Sequence, residues 1–318
     1  MPLQLLENKM EKVAIIGKGF YLKNIDSIET LSNLSMRKEN ENFSTPEKII
    51  NKKGLRYKDL ATKFAIYAAN DALLNAGVIS HHNQKINSSN IAVIVCSSLG
   101  NIDTVGKVMN IINSKGVNET SPLDLPNLSP NNIAASIAIW FKLTGINLTI
   151  CNGSTSSIDS IHIGCNLLQS RKAEKVLIIG VEVLNEYTQK LDHINMHSQI
   201  GAVGIVLSSF ETTINFNGPY LDIASSNNCT LYDEYNIKNI ITAPHTANLF
   251  LIPYELFLRN KFIGEKDKIL CLDEIYGYLD GIYAILSCIY AMTVLDKYPT
   301  ICIIAGNYNE KYKQIIIR

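Results

Sequence analysis

At 318 residues with 47% hydrophobic side chains, the chain can bury a large core in one large domain or two fused lobes, which excludes disorder over most of its length. Acidic and basic residues balance at 29 each, so no broad electrostatic field marks nucleic acid or an anionic membrane as the partner. The seven cysteines are scattered, mostly within apolar runs and without a CxxC pair, a usage that fits free buried thiols in a reducing cytosol better than disulfides or a metal site.

The N-terminal MPLQLLENKMEK lacks the continuous apolar segment of a secretory signal, and no apolar run of about 18 residues follows, so a soluble, cytoplasmic protein is expected. VAIIG (13–17) predicts a buried strand. The 58–76 stretch predicts a helix with Leu60, Phe64, Tyr67 and Leu74 on roughly one face and Gly77 as its stop. IAVIVC (91–96) is the next strand, and Ser129-Pro130 signals a helix start, with Ser129 as N-cap, before NNIAASIAIWFKL. NLTIC (147–151) reads as a strand, Ser154 through Leu168 as a helix, and VLIIG (176–180) and GAVGIVLSS (201–209) as the two strands that close this half.

The second half repeats that grammar: YLDIAS (220–225), NIITA (239–243), a helix near 252–260, KILCL (268–272), a helix within 279–294, TICIIAG (300–306) and KQIIIR (313–318). This alternation predicts an α/β protein of two similar tandem lobes, 1–216 and 217–318, with the boundary near Asn217-Gly218. Residues 23–56 and 183–200 are polar and read as loops or short elements. His81/His82 and His193/His197 are the close histidine pairs; they read as polar loop residues, and no metal or cofactor is expected.

The stretch LTGINLTICNGSTSSIDSIHIGCNLLQSRKAEKVLIIGVE (143–182) resembles the nucleophile region of β-ketoacyl synthases, where a glycine and a strand lead to a reactive cysteine at the start of a buried helix. Gly145, Ile158, Ile161, His162, Cys165, Gly180 and Glu182 fit that pattern and put Ser154 at the cysteine position. LPNLSPNNIAASIAIWFKLTG, VAIIGKGF and GAVGIVLSS resemble flanking family segments in order and spacing. The resemblance implies a thiolase-like fold of two tandem βαβαβαββ halves in a layered α-β-α-β-α core. It also implies that His245, in TAPHTAN, stands at the first family histidine as a possible base. In CLDEIYGYLDG, Asp273 falls at the family lysine and Tyr278 at the second histidine; in AGNYNEK, Tyr308 lies nearest the family phenylalanine and Gly306 keeps a turn glycine.

Family enzymes load an acyl group on a thiolate, decarboxylate a malonyl unit on an acyl carrier protein and join the two. A serine hydroxyl ionises far less readily than a thiol, so Ser154 could attack an acyl thioester only with a base beside it. A carboxylate ~4 Å from a forming enolate, at an effective dielectric of about 20, opposes it by roughly 4 kcal/mol. The resemblance therefore implies a chain-length-factor-type subunit of a type II fatty-acid or polyketide synthase. It would pair with a cysteine-bearing ketosynthase, or with itself, and meet an acyl carrier protein and acyl thioesters. The family pairs subunits through the strand before the nucleophile, here NLTIC.

Two other readings stay open. One is a serine-dependent acyltransferase or thioesterase built on Ser154 and His245, with backbone N–H groups as an oxyanion hole. The other is a nucleotide-binding oxidoreductase suggested by GKGF (17–20), which lacks the third glycine of the dinucleotide fingerprint because position 22 is Leu. Taken alone, Ser154 would also serve as an ordinary helix N-cap, and Gly17 and Gly19 as a turn leaving a strand.

Overall fold

The computed structural model describes residues 12–23, 25, 27–34, 54–55, 58–80, 90–183, 186–187, 200–209, 218–222, 247–260, 268–307 and 311–318. Among these, the strands are β1 (Lys12–Leu22), β2 (Ile91–Cys96), β3 (Asn147–Ile150), β4 (Lys175–Glu182), β5 (Gly201–Ser209), β6 (Tyr220–Asp222), β7 (Leu249–Leu251), β8 (Ile269–Leu270), β9 (Ile301–Asn307) and β10 (Lys311–Ile317). The helices are α1 (Ile28–Ser32), α2 (Leu60–Asn75), α3 (Ile102–Lys115), α4 (Asn131–Phe141), α5 (Ser156–Gln169), α6 (Tyr254–Asn260), α7 (Leu272–Tyr276) and α8 (Tyr283–Val294).

The strand order is β3-β2-β4-β5-β1-β6-β10-β9-β7-β8, and it contains one pattern twice. In the first five strands, β2 runs parallel to β3 and β4, while β5 is antiparallel to both β4 and β1. In the last five, β7 runs parallel to β8 and β9, while β10 is antiparallel to both β9 and β6. The two five-strand sets, the first and second sheets of the layered core, join into one continuous ten-stranded ladder through antiparallel pairing of Lys12–Ala14 with Tyr220–Asp222. The tandem repeat expected from the strand-helix alternation is thus written in the hydrogen-bond ladder.

Side-chain alternation along these strands explains the layering, because successive residues of a strand face opposite sides of its sheet. On β2, Ala92, Ile94 and Cys96 join the central core, whereas Ile91, Val93 and Val95 face outward onto α2 and α4. On β9, Ile301, Ile303 and Ala305 face the same central core, and Cys302 and Ile304 meet Leu256 of α6 on the far side. Between the sheets lie α5, with Ile158, Ile161, Cys165 and Leu168, and α8, buried from Tyr283 to Ala291. The result is the layered α-β-α-β-α core, with two helices enclosed between sheets. No helix among the described residues is long and apolar enough to cross a membrane.

Helix α2 begins at Asp59, whose carboxylate accepts from Thr62 N at 2.6 Å, and ends before Gly77, which takes the left-handed conformation at φ +65°. Its buried face differs from the expected one: Leu60, Tyr67 and Leu74 are only partly buried, while Ala61, Ala65, Ala68, Ala69 and Ala72 are buried beside Phe64. Glycines of β1 explain the shift. A Cβ on Gly17 would fall 2.6 Å from Ala72 O, and one on Gly19 would fall 2.4 Å from Ala72 N. The helix therefore lies directly on the strand backbone, where only small side chains fit.

Gly17 and Gly19 thus sit within β1 and serve helix packing, which corrects the turn reading and removes the structural setting a dinucleotide fingerprint requires. A second correction concerns Ser129: α4 is preceded by Pro130, and no side chain caps it. NIITA (239–243) lies outside the described residues, and strand β7 lies at Leu249–Leu251.

Substituting Gly19→Ala forces a methyl group into the backbone of α2, an overpacking expected to destabilise the protein by about 1–3 kcal/mol. Urea denaturation monitored by circular dichroism checks this, and an unchanged midpoint would show that the helix does not lie on β1 as described.

Candidate functional site

Strand β3 ends at Ile150, and the chain turns through Asn152 and Gly153 into a single 3-10 turn, Gly153–Thr155, before α5. Gly153 has φ +65°, a conformation that favours glycine. Ser154 and Thr155 are buried, and Ser156 and Ser157 are completely so. Polar groups enclosed this way must be satisfied by protein. Ser156 Oγ accepts from Asn152 N at 2.8 Å and donates toward Gly153 O at 2.7 Å, with Ser97 O a further acceptor at 3.2 Å. Ser157 Oγ accepts from Ala284 N, the second residue of α8, at 3.0 Å. Ser160 Oγ donates to Ser156 O at 2.8 Å.

The cap position of α5 belongs to Thr155, whose side chain makes no capping bond, so Ser154 is not the N-cap that its neighbourhood suggests. Instead it occupies the middle of the turn that enters the buried helix. That turn packs against β9 and against a second short turn, Asp280–Ile282. At the end of β9, Gly306 takes φ +131°, a backbone state few other residues adopt.

Glu182, at the end of β4, ties the surroundings together. Its Oε1 accepts from Ser98 N at 2.5 Å, and its Oε2 accepts from Ser97 Oγ at 3.4 Å. Gly281 N also donates to it, and a Cβ on Gly281 would lie 2.5 Å from Oε1. Enclosure drives the Glu182 carboxyl well above its ordinary range, and the negative charge of Asp280 pushes it further, against the opposing donation from Ser98. The ends of β2 and β4 and the Asp280–Ile282 turn therefore meet around one carboxyl group.

Asp273 is buried, and both its oxygens accept from Tyr254 N, at 3.0 and 2.9 Å, at the start of α6. Burial is the main cause that pushes its carboxyl up to about 6. Tyr278 is partly buried, and its hydroxyl lies 3.2 Å from Asp280 Oδ1, to which it can donate. His245, Tyr308, His193 and His197 lie outside the described residues.

The six described cysteines offer no activated thiol. Burial raises Cys96, Cys165, Cys271, Cys288 and Cys302, with Cys165 and Cys302 pushed up to about 12. Cys151 is exposed at the residue level, yet partial enclosure of its thiol and the Glu182 charge raise it as well. Sequence reading missed the roles of Ser156, Ser157, Asp159 and Lys313. The available signal for the first three was the density of polar residues, STSSIDS, at the start of the helix, and nothing local marks Lys313.

The elevated Asp273 carboxyl gives a signed pH effect. The folded chain binds this proton more tightly than the unfolded chain does, so its contribution to stability is greatest below the ordinary carboxyl range and falls as pH rises to about 6. The gap corresponds to roughly 3 kcal/mol at most. Urea titrations from pH 4 to 7 should show the wild type losing stability relative to Asp273→Asn, whereas parallel curves would contradict the burial.

The family described as "Beta-ketoacyl synthase, N-terminal domain" matches residues 11–202, well over half the chain. Among curated proteins, 3-oxoacyl-[acyl-carrier-protein] synthase 2 of Vibrio cholerae is 25% identical over 136 residues, which cover 43% of this chain and 32% of that protein. The same-named protein of Coxiella burnetii is 21% identical over 138 residues, covering 43% and 33%. The matched stretch is thus about a third of the curated relatives' length. Among solved structures, the ishigamide ketosynthase/chain length factor superposes with a TM-score of 0.75 at 12% identity, covering 96% of this chain and 98% of the other. A β-ketoacyl synthase from Burkholderia phymatum gives 0.71 at 13% identity, covering 97% and 99%. The fold is that of the thiolase-like ketosynthases, and the chain belongs to the β-ketoacyl synthase family.

Proposed function

We propose that this chain is a ketosynthase-like subunit of a type II fatty-acid or polyketide synthase that does not itself carry out decarboxylative condensation. In this reading it acts as a chain-length-factor-type partner of a cysteine-bearing ketosynthase. The observation that carries the proposal is the hydroxyl of Ser154 in the buried turn that enters α5, which we read as the place where family enzymes present a thiol. Attack by a hydroxyl requires a base, and the oxyester it would form is a poorer target than a thioester for a carbanion. Asp273 stands where the family lysine is expected and is engaged with the start of α6, while Tyr278 stands at a histidine position and meets Asp280. Asp280, whose charge already pushes the neighbouring Glu182 carboxyl up, would oppose further negative charge close by.

A partner role is supported by the sheet edge. β3 is the outermost strand of the first half, its residues are half-buried, and β2 is its only pairing strand among the described residues. An open edge of this kind presents bare N–H and C=O groups and in stable proteins is covered or paired. Two similar solved structures bear on the partners: one is a ketosynthase/chain length factor, and the other is a type II acyl carrier protein in complex with its ketosynthase. On the proposal, corresponding partners serve this chain. The lobes 1–216 and 217–318 would form one unit, with the acyl tunnel walled by this chain and the chemistry supplied by the partner.

A second reading, a serine-dependent acyltransferase, is favoured by the position of Ser154 in the turn that leads into α5. Incubation of the pure protein with acyl-CoA or acylated carrier protein, followed by intact-mass measurement, separates the two. The partner reading expects no acyl adduct and no hydrolysis above background, together with co-purification with a cysteine ketosynthase encoded beside it. An adduct abolished by Ser154→Ala would establish the acyltransferase reading instead.

A further inference from the structure

We propose that Asp159 and Lys313 are positioning residues for the Ser154 turn, with Asp159 clamping the turn on both sides of Ser154 and Lys313 reaching across from the second sheet to hold the clamp. The inference rests on Ser154 being the site residue. It does not depend on whether that hydroxyl ever takes an acyl group.

Asp159 lies in the first turn of α5 and is 9% exposed. Its Oδ2 accepts from Asn152 Nδ2 at 3.1 Å and from Thr155 Oγ1 at 3.0 Å. One oxygen therefore ties the residue two positions before Ser154 to the residue directly after it. Thr155 Oγ1 also lies 3.3 Å from Asn152 O, an alternative acceptor for the same hydroxyl proton. The other oxygen, Oδ1, forms a hydrogen-bonded ion pair with Lys313 Nζ of β10, with the two side chains 11% and 25% exposed.

Three donors converge on this carboxylate, and only an acceptor-only group suits all of them. An amide would turn its own N–H groups toward one of the donors. A carboxylate so enclosed carries a desolvation cost that a paired cation must offset, and removing one partner leaves the other charge uncompensated. Lys313 is that cation, because His162, one turn further along α5, is driven toward its neutral form by burial and by the nearby lysine, with Asp159 pulling the other way.

The pair joins residues 154 positions apart, one on the enclosed helix and one on the last strand of the second sheet. The geometry of the Ser154 turn is thereby set by both halves of the chain.

Hydrogen-exchange mass spectrometry of the full chain at pH 7 tests the clamp. A chemical reporter accompanies it: the alkylation rate of the thiol introduced by Ser154→Cys, read at that peptide. Asp159→Asn and Lys313→Met should each raise exchange of amides 152–157 about tenfold or more while β2 and β4 keep their protection, and each should change the alkylation rate several-fold. Lys313→Arg should restore both readouts. Unchanged exchange at 152–157, or a rise of equal size across all strands, would overturn the proposal and leave an ordinary stabilising ion pair. If Asp159→Asn does not fold, Lys313→Met and Lys313→Arg give the same decision with the carboxylate in place. Neither readout requires turnover, so a chain that never becomes acylated can still pass or fail.

Discussion

The first turn of α5 is enclosed between two sheets, and a helix start buried in this way has to satisfy its free backbone N–H groups and its polar side chains without bulk water. Each solution draws on a different part of the chain. Ser156 is tied to Ser97 beyond β2, Ser157 receives Ala284 N from α8, and Asp159 receives Lys313 from β10. Ser154 can take its place only when both five-stranded halves are assembled around it. The same enclosure fixes the glycines nearby, since a side chain on Gly281 would displace the bond between Glu182 and Ser98 N.

On the proposed reading, this construction keeps the outline of a family active site while changing its electrostatics. Asp280 brings a carboxyl group to the short turn that packs against the Ser154 turn, Asp273 is engaged with the start of α6, and Lys313 is occupied by Asp159. In that reading, a charge at Asp280 disfavours chemistry that builds negative charge on an enolate but not a packed wall for an acyl chain. On the same reading the edge of β3, paired only with β2 among the described residues, is the surface through which a two-subunit site would be completed.

Much of the architecture was legible in the residue pattern. Continuous apolar runs such as IAVIVC and VLIIG became strands buried on both faces, and the repeated grammar of the two halves became a repeated strand order. The face of α2 was misjudged because large side chains were weighted over alanines, while contact with glycines on β1 rewards the smallest side chain. Helix α3 escaped notice because it buries only Asp103, Thr104 and Val108 and exposes Val105 and Met109, so its apolar pattern does not mark a core face. Family resemblance singled out Ser154, but the bonds that hold its buried turn had no counterpart in the local sequence. Nothing local in the sequence says that Lys313 meets Asp159, or that Asp273 turns its carboxylate to Tyr254 N.

Reconstitution with a cysteine ketosynthase and its acyl carrier protein, with product lengths read by mass spectrometry, addresses the central claim most directly. Adding this chain should change the product distribution, and the Ser154→Ala variant should change it in the same way. Loss of the effect with Ser154→Ala, or products formed by this chain without the cysteine enzyme, would show that the hydroxyl itself performs the chemistry.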